Sequence, residues 1–505
     1  MRLQVFCTTK ILLDEVYMID LTVNKEGLEK SLQVARERGV VIPTFSQMVE
    51  PGLIPQDVKS KLGSVGMWEV DPCNLFRISW YNEPVESGGG FGGPNFIEFP
   101  SSLTGVEAKI VAMVGKWFPT GAHKVGAAFG CLVPRLVTGQ FNPIDQKSVW
   151  PSTGNYCRGG AYDAALLGCE SVAILPEGMS QERFEWLENI AGEVIKTPGT
   201  ESNVKEIFDK CWELRSSGEN LMIFNQFEEF GNYLWHYHVT GRAIADVMRV
   251  YENRGFRLAG LVGSTGSAGT IASGDYLKEC WPLSKIAVSE ALQCPTLLMN
   301  GFGSHRIEGI GDKHVPWIHN VKNTDMVIAV DDEAAMNVSR LFNEIEGIKY
   351  LEKQGVDNQL LGQLPLAGIS GVSNLISAIK FAKWYELGSE DVVMTVLTDG
   401  MELYNSRLAE LNDAHGRFTE MDAHLVYGKD VIGATTDYMA ELDYYGKKRI
   451  HNLKYFTWVE QQGKTYDEIQ AQWYEDSYWR DIRQSVEPLD SLITEFNRMS
   501  GATLG

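Results

Sequence analysis

The chain has 505 residues, of which 44% are hydrophobic and 22% charged, and its formal net charge is −21 at pH 7. This composition is typical of a globular protein with room for two or three domains. The acidic charge argues against nucleic acid as a partner, because phosphates need a basic protein surface. No run approaches the roughly 20 apolar residues that a membrane helix needs.

The cysteines and the N-terminus predict a soluble protein of the cytoplasm. Eight cysteines are scattered along the chain without a CxxC pair, which is typical of reduced thiols rather than of disulfides or a zinc site. The first residues, MRLQVFCTTKILLDEVYMIDL, carry Lys10, Asp14 and Glu15 inside their apolar stretch. Those charges are unlike a signal peptide.

Short apolar runs alternate with amphipathic helices after a glycine-rich connector, ESGGGFGGPNF (86–96). Each run is rich in Val, Ile and Leu, ends in Gly, Pro, Ser or Asn, and precedes a helical segment. Buried parallel strands joined by helices have this pattern, which predicts an α/β fold. Ligands bind at the carboxyl ends of such strands, so site residues are expected directly after each run. The runs are 107–117, 147–155, 171–178, 221–227, 257–266 and 391–400.

After about residue 410 the sequence becomes charged and aromatic, and 441–482 has no strand-like punctuation. Thr465 and Glu468 have the spacing of a capping box, and Trp473, Tyr474, Tyr478 and Trp479 follow at helical spacing. We predict a helical C-terminal extension whose aromatic side chains pack against the core or a neighbouring subunit.

Lys124 is the only charged residue in FPTGAHKVGAAFG (118–130). Proline and glycine mark a turn before it, and small residues follow at helical density. A lysine held at the mouth of a helix in apolar surroundings has a lowered pKa and can act as a nucleophile or form a Schiff base. The alternative is a lysine that reaches solvent from a turn.

LVGSTGSAGTIASG (261–274) reads as a strand, a glycine-rich turn and a helix. Backbone amides at such a turn bind phosphate together with the helix N-terminus. A nucleotide P-loop is excluded because no GK[ST] ending is present, and the glycine spacing fails the dinucleotide fingerprint. A compact phosphate site for a phosphorylated cofactor and a plain tight connection both remain open.

Two further strand ends carry polar groups. PSTGNYCRGGAY (151–162) offers Ser152, Thr153 and Asn155 at a helix start, where a carboxylate would gain donors and the helix dipole; a simple N-cap would explain one of them. In NQFEEFGNYLWHYHVTG (225–241), Gln226 could reach the same anion. His236 and His238 are two residues apart and do not resemble metal ligands.

Taken in order, these motifs resemble the fold-type II pyridoxal-phosphate enzymes, above all cysteine synthase (O-acetylserine sulfhydrylase). The segment GAHK (121–124) also resembles the tryptophan synthase β-subunit. FPTGAHK resembles NPTGSxK, STGNYC resembles TSGNTG, and NQF…HYHVTG resembles NQFxNPxNxxxHYxTTG. STGSAGT resembles GxGTGGT, HRIEGIGDKHVP (305–316) resembles HxIQGIGxGFVP, and GISGVSN (368–374) resembles GISSGAN. The resemblance covers about residues 95–410.

The resemblance implies two open twisted sheets flanked by helices, pyridoxal 5'-phosphate as cofactor, no metal, and a Schiff base at Lys124, which is the catalytic residue. It implies a core at 95–410 with a smaller lobe at about 130–250, an N-terminal extension at 1–94 that packs on it, and the helical extension at 411–505. The implied cofactor-binding residues are Lys124, Asn155, Gly266, Ser267, Ala268, Gly269, Thr270, Gly309 and Gly400. The implied substrate-binding residues are Ser152, Thr153, Tyr156 and Gln226.

Two departures from the family motifs concern the site. Tyr156 and Cys157 replace the TG that follows the family's asparagine, so a phenol and a thiol border the site. A thiol near a helix N-terminus has a lowered pKa if partly exposed, whereas a buried one is inert. Gly400 aligns with a serine that contacts the pyridine nitrogen in the family, and Thr398 or a water would have to substitute for it.

The implied function is β-elimination or β-replacement, through an aminoacrylate, on a small amino acid with a β-leaving group, with Lys124 as the base at Cα. The alternatives are an ammonia-lyase of the serine, threonine or diaminopropionate type, and a non-catalytic pyridoxal-phosphate-binding subunit of a complex. The resemblance also implies a homodimer.

Overall fold

The computed structural model describes residues 19–503, so the signal-peptide prediction lies outside the described residues. Two β-sheets are flanked by helices, as predicted. The strands are β1 Phe96–Phe99, β2 Lys109–Val114, β3 Lys147–Pro151, β4 Ser171–Pro176, β5 Glu193–Thr197, β6 Leu221–Ile223, β7 Arg257–Ser264, β8 Lys285–Ala291, β9 Met326–Val330, β10 Asp391–Leu397 and β11 Met439–Glu441.

The larger sheet has seven strands in the order β1-β2-β10-β7-β8-β9-β11. Its five inner strands are mutually parallel, and β1 and β11 pair antiparallel at the two edges. Every residue of β10 is buried. A strand covered on both faces needs such a continuous apolar run, which is why VVMTVL forms an inner strand of the sheet.

The smaller sheet has four parallel strands in the order β5-β4-β3-β6. Its strands lie between β2 and β7 in sequence, so this unit is inserted into the larger sheet's connectivity. All six predicted runs form strands. The strands β1, β5, β8, β9 and β11 were not predicted; β9 is an apolar run that the same criterion would have found, whereas β11 has three residues.

The helices cover the sheets and build both ends of the chain. Those before β7 are α1 Lys25–Arg38, α2 Phe45–Val49, α3 Gln56–Leu62, α4 Ser101–Thr104, α5 Lys124–Val137, α6 Asn155–Leu166, α7 Gln181–Glu188, α8 Val204–Ser216, α9 Phe230–Trp235 and α10 Gly241–Glu252. Those after β7 are α11 Ala272–Cys280, α12 Thr296–Met299, α13 Asp332–Asn343, α14 Ile345–Lys353, α15 Asn358–Gln363, α16 Ile369–Trp384, α17 Asn405–His415, α18 Glu420–Val426, α19 Tyr444–Lys454, α20 Tyr466–Tyr474, α21 Tyr478–Gln484 and α22 Val486–Ser500.

The two ends of the described chain pack together against the core. The amide of Ile42 donates to Asn497 Oδ1 at 2.9 Å, and that of Phe45 donates to Asp490 Oδ1 at 2.7 Å. Leu489 and other apolar side chains of α22 share one hydrophobic core cluster with α1, α2 and α5.

The C-terminal segment is helical, as predicted, and it also supplies the edge strand β11. The capping box of Thr465 and Glu468 is confirmed. The predicted boundary at residue 410 falls inside α17, which spans Asn405–His415.

Between residues 19 and 503, no single helix has the length and apolarity to cross a membrane. One bent pair, Asn358–Leu366 with Ile369–Trp384, meets that test by length and composition only.

Candidate active site

Lys124 is the first residue of α5, and two residues separate it from a tight turn at Pro119–Gly121. Thr120 has φ 71° and Gly121 has φ 73°, a left-handed conformation that places the following residues against the core. The N-terminal segment supports the turn from behind, because Trp68 Nε1 donates to the carbonyl of Phe118 at 3.3 Å. The backbone that carries Lys124 is therefore held in place.

The amine of Lys124 lies where two predicted motifs meet. Lys124 Nζ donates to Ser267 Oγ at 3.0 Å and to Gln226 Oε1 at 3.5 Å. Asn232 Nδ2 donates to Ser267 Oγ at 3.0 Å and to the carbonyl of Gln226 at 2.9 Å, so one amide joins both partners.

Burial lowers the pKa of Lys124 to about 8, against the opposing effect of the carboxylates of Asp312 and Glu201. Desolvation disfavours an ammonium ion, so part of this side chain is the free amine near neutral pH. Such a lysine is a nucleophile and a base under ordinary conditions.

Lys124 lines a cavity, and the residues predicted to bind the substrate carboxylate surround it. Ser152, Thr153, Asn155, Tyr156 and Gln226 line it together with Lys124. Ser152 Oγ accepts from the amide of Gly154 at 3.1 Å and from Gln226 Nε2 at 3.4 Å. These contacts orient the turn that precedes α6.

Asn155 is held from outside the cavity. Asn155 Nδ2 donates to Asp399 Oδ2 at 2.6 Å, and the Tyr404 hydroxyl donates to the same oxygen at 2.6 Å. Arg183 Nη2 donates to that hydroxyl at 2.7 Å. A buried chain of polar groups thus fixes one wall of the cavity.

The glycine-rich turn between β7 and α11 has the features of a phosphate site. Gly266 and Ser267 line the cavity, and Ala268 has φ 62°. Within residues 19–503, none of the backbone amides of residues 266–270 donates a hydrogen bond. Five free amides before a helix N-terminus form a natural anion site.

Gly269 brings this turn close to the helix that follows β6. A Cβ added at Gly269 would overlap Asn232 Oδ1 and lie 2.8 Å from His236 Cδ2. Thr270 is partly exposed at the last position of the turn. Gly309, with φ 98°, lines the cavity from the loop between α12 and β9.

Gly400 does not line the cavity in the described chain, whereas Thr398 does. A side chain added at Gly400 would point at the Glu402 carboxylate instead. The turn after β10 therefore presents Thr398, the first of the two substitutes considered from the sequence.

Three cavity-lining residues were not predicted from the sequence: Glu201, Phe227 and Asp312. Burial raises the pKa of Glu201 to about 8 and that of Asp312 to about 8. Asp312 falls at the variable position of the motif HxIQGIGxGFVP, so the motif gave no signal for it, and Glu201 lies in a loop without any pattern.

Cys157, His236 and His238 do not line the cavity. Cys157 is buried, and burial raises the pKa of its thiol to about 12, so it is the inert kind of cysteine. His236 lies in the π-helical turn His236–Thr240, and His238 contacts the carbonyl of Arg483 at 2.9 Å. Residues 19–503 contain no group of three or more metal-binding side chains.

Comparison with known proteins agrees with this geometry. Residues 108–350 match the model of the family described as pyridoxal-phosphate dependent enzyme. Cysteine synthase from Staphylococcus aureus (strain Mu50) is 30% identical over 289 residues, which cover 57% of this chain and 84% of that protein. Cysteine synthase B from Campylobacter jejuni is also 30% identical, over 57% of this chain and 87% of that protein.

The chain belongs to the pyridoxal-phosphate dependent enzymes. The crystal structure of O-acetylserine sulfhydrylase isoform 3 from Entamoeba histolytica shares the fold, with a TM-score of 0.54 and 20% identity over 67% of this chain and 93% of that one. The resemblance stated from the sequence is confirmed, and the cofactor of this enzyme is pyridoxal 5'-phosphate.

The residues of the cavity fit that cofactor. The five free amides at residues 266–270 suit a phosphate dianion. Lys124 Nζ donates to Ser267 Oγ at 3.0 Å, so the nucleophile lies beside the anion site. A phosphorylated aldehyde requires this arrangement.

Proposed function

We propose that this enzyme removes the Cα proton and a β-substituent from a small amino acid, either releasing the product or adding a nucleophile in the substituent's place. One observation carries the proposal: the Lys124 amine contacts Ser267 of the anion site at 3.0 Å and Gln226 of the carboxylate site at 3.5 Å. The sequence similarity to cysteine synthases supports the same reaction class.

The substrate carboxylate would bind at the start of α6. Ser152, Thr153 and Gln226 supply hydroxyl and amide donors there, and the helix dipole adds a favourable field. This binding would place the substrate's Cα beside Lys124, because Gln226 contacts both Ser152 and the lysine.

Lys124 would act as the base. When bound, pyridoxal phosphate supplies the electron sink that makes the Cα proton acidic. The lowered pKa of Lys124 leaves a free amine near pH 8, which accepts that proton at Nζ. Asn155 and Thr398 would contact the cofactor ring from the cavity wall, with Asn155 oriented by Asp399.

Absorption spectra and product analysis test the proposal. The purified protein should absorb in the visible region through its bound cofactor, and Lys124→Ala should lose that band. Lys116→Ala is the matched control, because Lys116 lies eight residues earlier, pairs with Glu402 at 3.3 Å and does not line the cavity. A protein that stays colourless with added pyridoxal phosphate contradicts the proposal.

The coloured protein is then mixed with O-acetylserine, O-phosphoserine, serine, cysteine or threonine, with and without sulfide. We expect pyruvate and ammonia, or a new amino acid when sulfide is present. Deamination of threonine alone, unaffected by sulfide, would assign the enzyme to the ammonia-lyases instead.

We also propose a homodimer in the cytoplasm. Seven cysteines of the described chain are unpaired, which supports a reducing compartment. The C-terminal extension exposes Tyr445, Phe456 and Tyr474 by 78%, 61% and 61%, a set of apolar side chains suited to a subunit contact. Sedimentation analysis of the wild type and of Tyr445→Ser tests this contact.

A further inference from the structure

Two acidic side chains share the cavity with Lys124, and the reaction proposed above assigns a role to neither. Glu201 is 2% exposed and Asp312 is 5% exposed. Buried carboxyl groups are costly unless a partner compensates their charge. The partners of these two groups differ.

Glu201 has a structural environment. Its Oε1 accepts a hydrogen bond from the Thr153 hydroxyl, and its Oε2 lies 3.9 Å from Arg183 Nη1. Arg183 also pairs with Glu308 at 2.8 Å and donates to the carbonyl of Thr153 at 2.9 Å. We assign Glu201 to the support of the carboxylate-binding turn.

Asp312 has no such support. In the described part of the chain, its buried Oδ2 has no hydrogen-bond partner. Lys124 is the charged group that acts on it, and the attraction favours the carboxylate. Once the lysine is uncharged, nothing offsets the desolvation of Asp312, so its carboxyl group is then protonated.

The backbone that carries Asp312 is fixed on both sides. The Thr296 hydroxyl donates to the carbonyl of Asp312 at 2.7 Å, and His305 Nε2 contacts the carbonyl of Gly311 at 2.8 Å. Further along, Trp458 Nε1 of the C-terminal extension donates to the carbonyl of Val315 at 2.8 Å. The unpartnered side chain thus lines the cavity from a rigid loop.

We propose that Asp312 donates a proton to the β-substituent of the substrate as that substituent departs. The site would then accept amino acids whose leaving group is basic, such as a hydroxyl, thiol or amine, in addition to leaving groups that need no proton. This inference rests on the proposed function and deepens it by naming the substrate class.

The proton balance closes within the pair. Lys124 Nζ takes the proton from Cα, the Cβ–X bond breaks with its electron pair on X, and the Asp312 carboxyl group gives X a proton, so HX leaves. Lys124 has then gained one proton and Asp312 has lost one. Transfer from the ammonium to the carboxylate restores both groups, and similar affinities for the proton make that transfer easy.

The kinetic test compares β-chloro-L-alanine, whose chloride needs no proton, with L-serine, L-cysteine and L-2,3-diaminopropionate. Asp312→Asn should lower kcat with the basic leaving groups by about 10²–10⁴-fold, and kcat with β-chloroalanine by less than about 3-fold. Asp312→Glu, which keeps the acid, should recover part of the loss. Asp163→Asn is the control, because Asp163 is a buried carboxyl group with unpartnered oxygens outside the cavity.

Infrared spectroscopy of the purified, cofactor-loaded proteins gives a readout independent of turnover. The difference spectrum between wild type and Asp312→Asn at neutral pH should contain the carbonyl stretch of a protonated carboxyl group. A difference spectrum that contains only carboxylate bands overturns the inference.

The kinetic outcomes separate this inference from the proposed function. Equal losses with β-chloroalanine and serine in Asp312→Asn overturn the role of Asp312 alone. A wild type that uses β-chloroalanine but none of the basic leaving groups does the same. A wild type inert towards these four amino acids and also towards O-acetylserine and O-phosphoserine overturns the proposed function, and the role of Asp312 with it.

Discussion

Asn155 donates a 2.6 Å hydrogen bond to Asp399, which links the cavity wall to a carboxyl group outside it. Burial raises the pKa of Asp399, whereas Arg183 and the hydrogen bonds from Tyr404 and Asn155 favour its charged form. The orientation of Asn155 therefore depends on a residue that itself does not line the cavity.

Replacement of this acceptor tests the link. Asp399→Ala leaves the Asn155 amide and the Tyr404 hydroxyl without their shared acceptor, so we expect a loss of about 1–3 kcal/mol in the free energy of unfolding. The visible absorption of the bound cofactor should shift as well. Asp413→Asn, an exposed carboxylate on α17, is the control. A normal spectrum in Asp399→Ala would show that Asn155 is oriented without Asp399.

Substitution of Gly269 tests whether the glycine-rich turn binds the cofactor phosphate. A methyl group at this position would overlap Asn232 Oδ1 and lie 2.8 Å from His236 Cδ2. We expect Gly269→Ala to cost about 1–3 kcal/mol in stability through overpacking, and to weaken cofactor binding by displacing the free amides. Equilibrium dialysis with pyridoxal phosphate measures the binding.

The matched control for Gly269 is Gly362→Ala in α15, where an added methyl group meets nothing within 4 Å. Alanine is favoured over glycine inside a helix by about 1 kcal/mol, so this variant should be slightly more stable with unchanged cofactor affinity. Equal cofactor affinity in both variants would contradict the assignment of the turn.

The ionisation of the Lys124 amine should make the rate of cofactor incorporation depend on pH. Its pKa of about 8, lowered by burial, leaves roughly a tenth of the side chain neutral at pH 7, compared with roughly 0.03% for an ordinary lysine. The rate of cofactor incorporation into the cofactor-free protein should therefore rise with pH and level off above about 8.

Asp312→Asn tests what sets the pH at which the incorporation rate is half-maximal, the midpoint of this profile. The carboxylate of Asp312 raises the pKa of Lys124, so its removal should move the midpoint to lower pH. Stopped-flow absorbance between pH 6 and 10 measures both proteins at matched ionic strength. A midpoint that moves upward would contradict the electrostatic coupling of the two groups.

The parts of the fold that the sequence predicted are those with strong local signals. The strands β2, β3, β4, β6, β7 and β10 each lie in an apolar run of the sequence that ends in turn residues. The strand β11 has no such run, because its three residues are specified by pairing with β9 from more than 100 residues away. Tertiary contacts of that kind leave no local pattern.

The site shows the same division. Lys124, Ser152, Gln226 and Ser267 lie at strand ends with recognisable turns, and they line one cavity. Glu201 lies in a loop that follows β5 of the smaller sheet, and only the tertiary fold brings it to the cavity. Gly400 was placed by ungapped alignment, and the turn after β10 instead presents Thr398.

Lys454 connects the C-terminal extension to the loop that carries Asp312. This buried amine donates to the carbonyls of Trp317 and His319 at 2.8 Å each and to Gln472 Oε1 at 2.6 Å. Burial lowers the pKa of Lys454. The three donated hydrogen bonds nevertheless match the three N–H groups of an ammonium ion, because a neutral amine has only two.

Lys454→Met keeps the apolar stem and removes the donors. Gln472 Oε1 then loses its partner, whereas the carbonyl of Trp317 still accepts from Gln472 Nε2 at 3.2 Å and that of His319 from the amide of Val321 at 3.0 Å. With one buried acceptor left unpaired, we expect a loss of about 1–3 kcal/mol in the free energy of unfolding, and a lower Tm in thermal unfolding. Turnover of β-chloroalanine should fall less than that of L-serine, because displacement of the loop would affect Asp312 more than Lys124. Lys205→Met, a side chain 68% exposed on α8, should match the wild type in both measurements. A destabilised Lys454→Met that lost both activities equally would show that the extension supports the fold as a whole rather than the Asp312 loop.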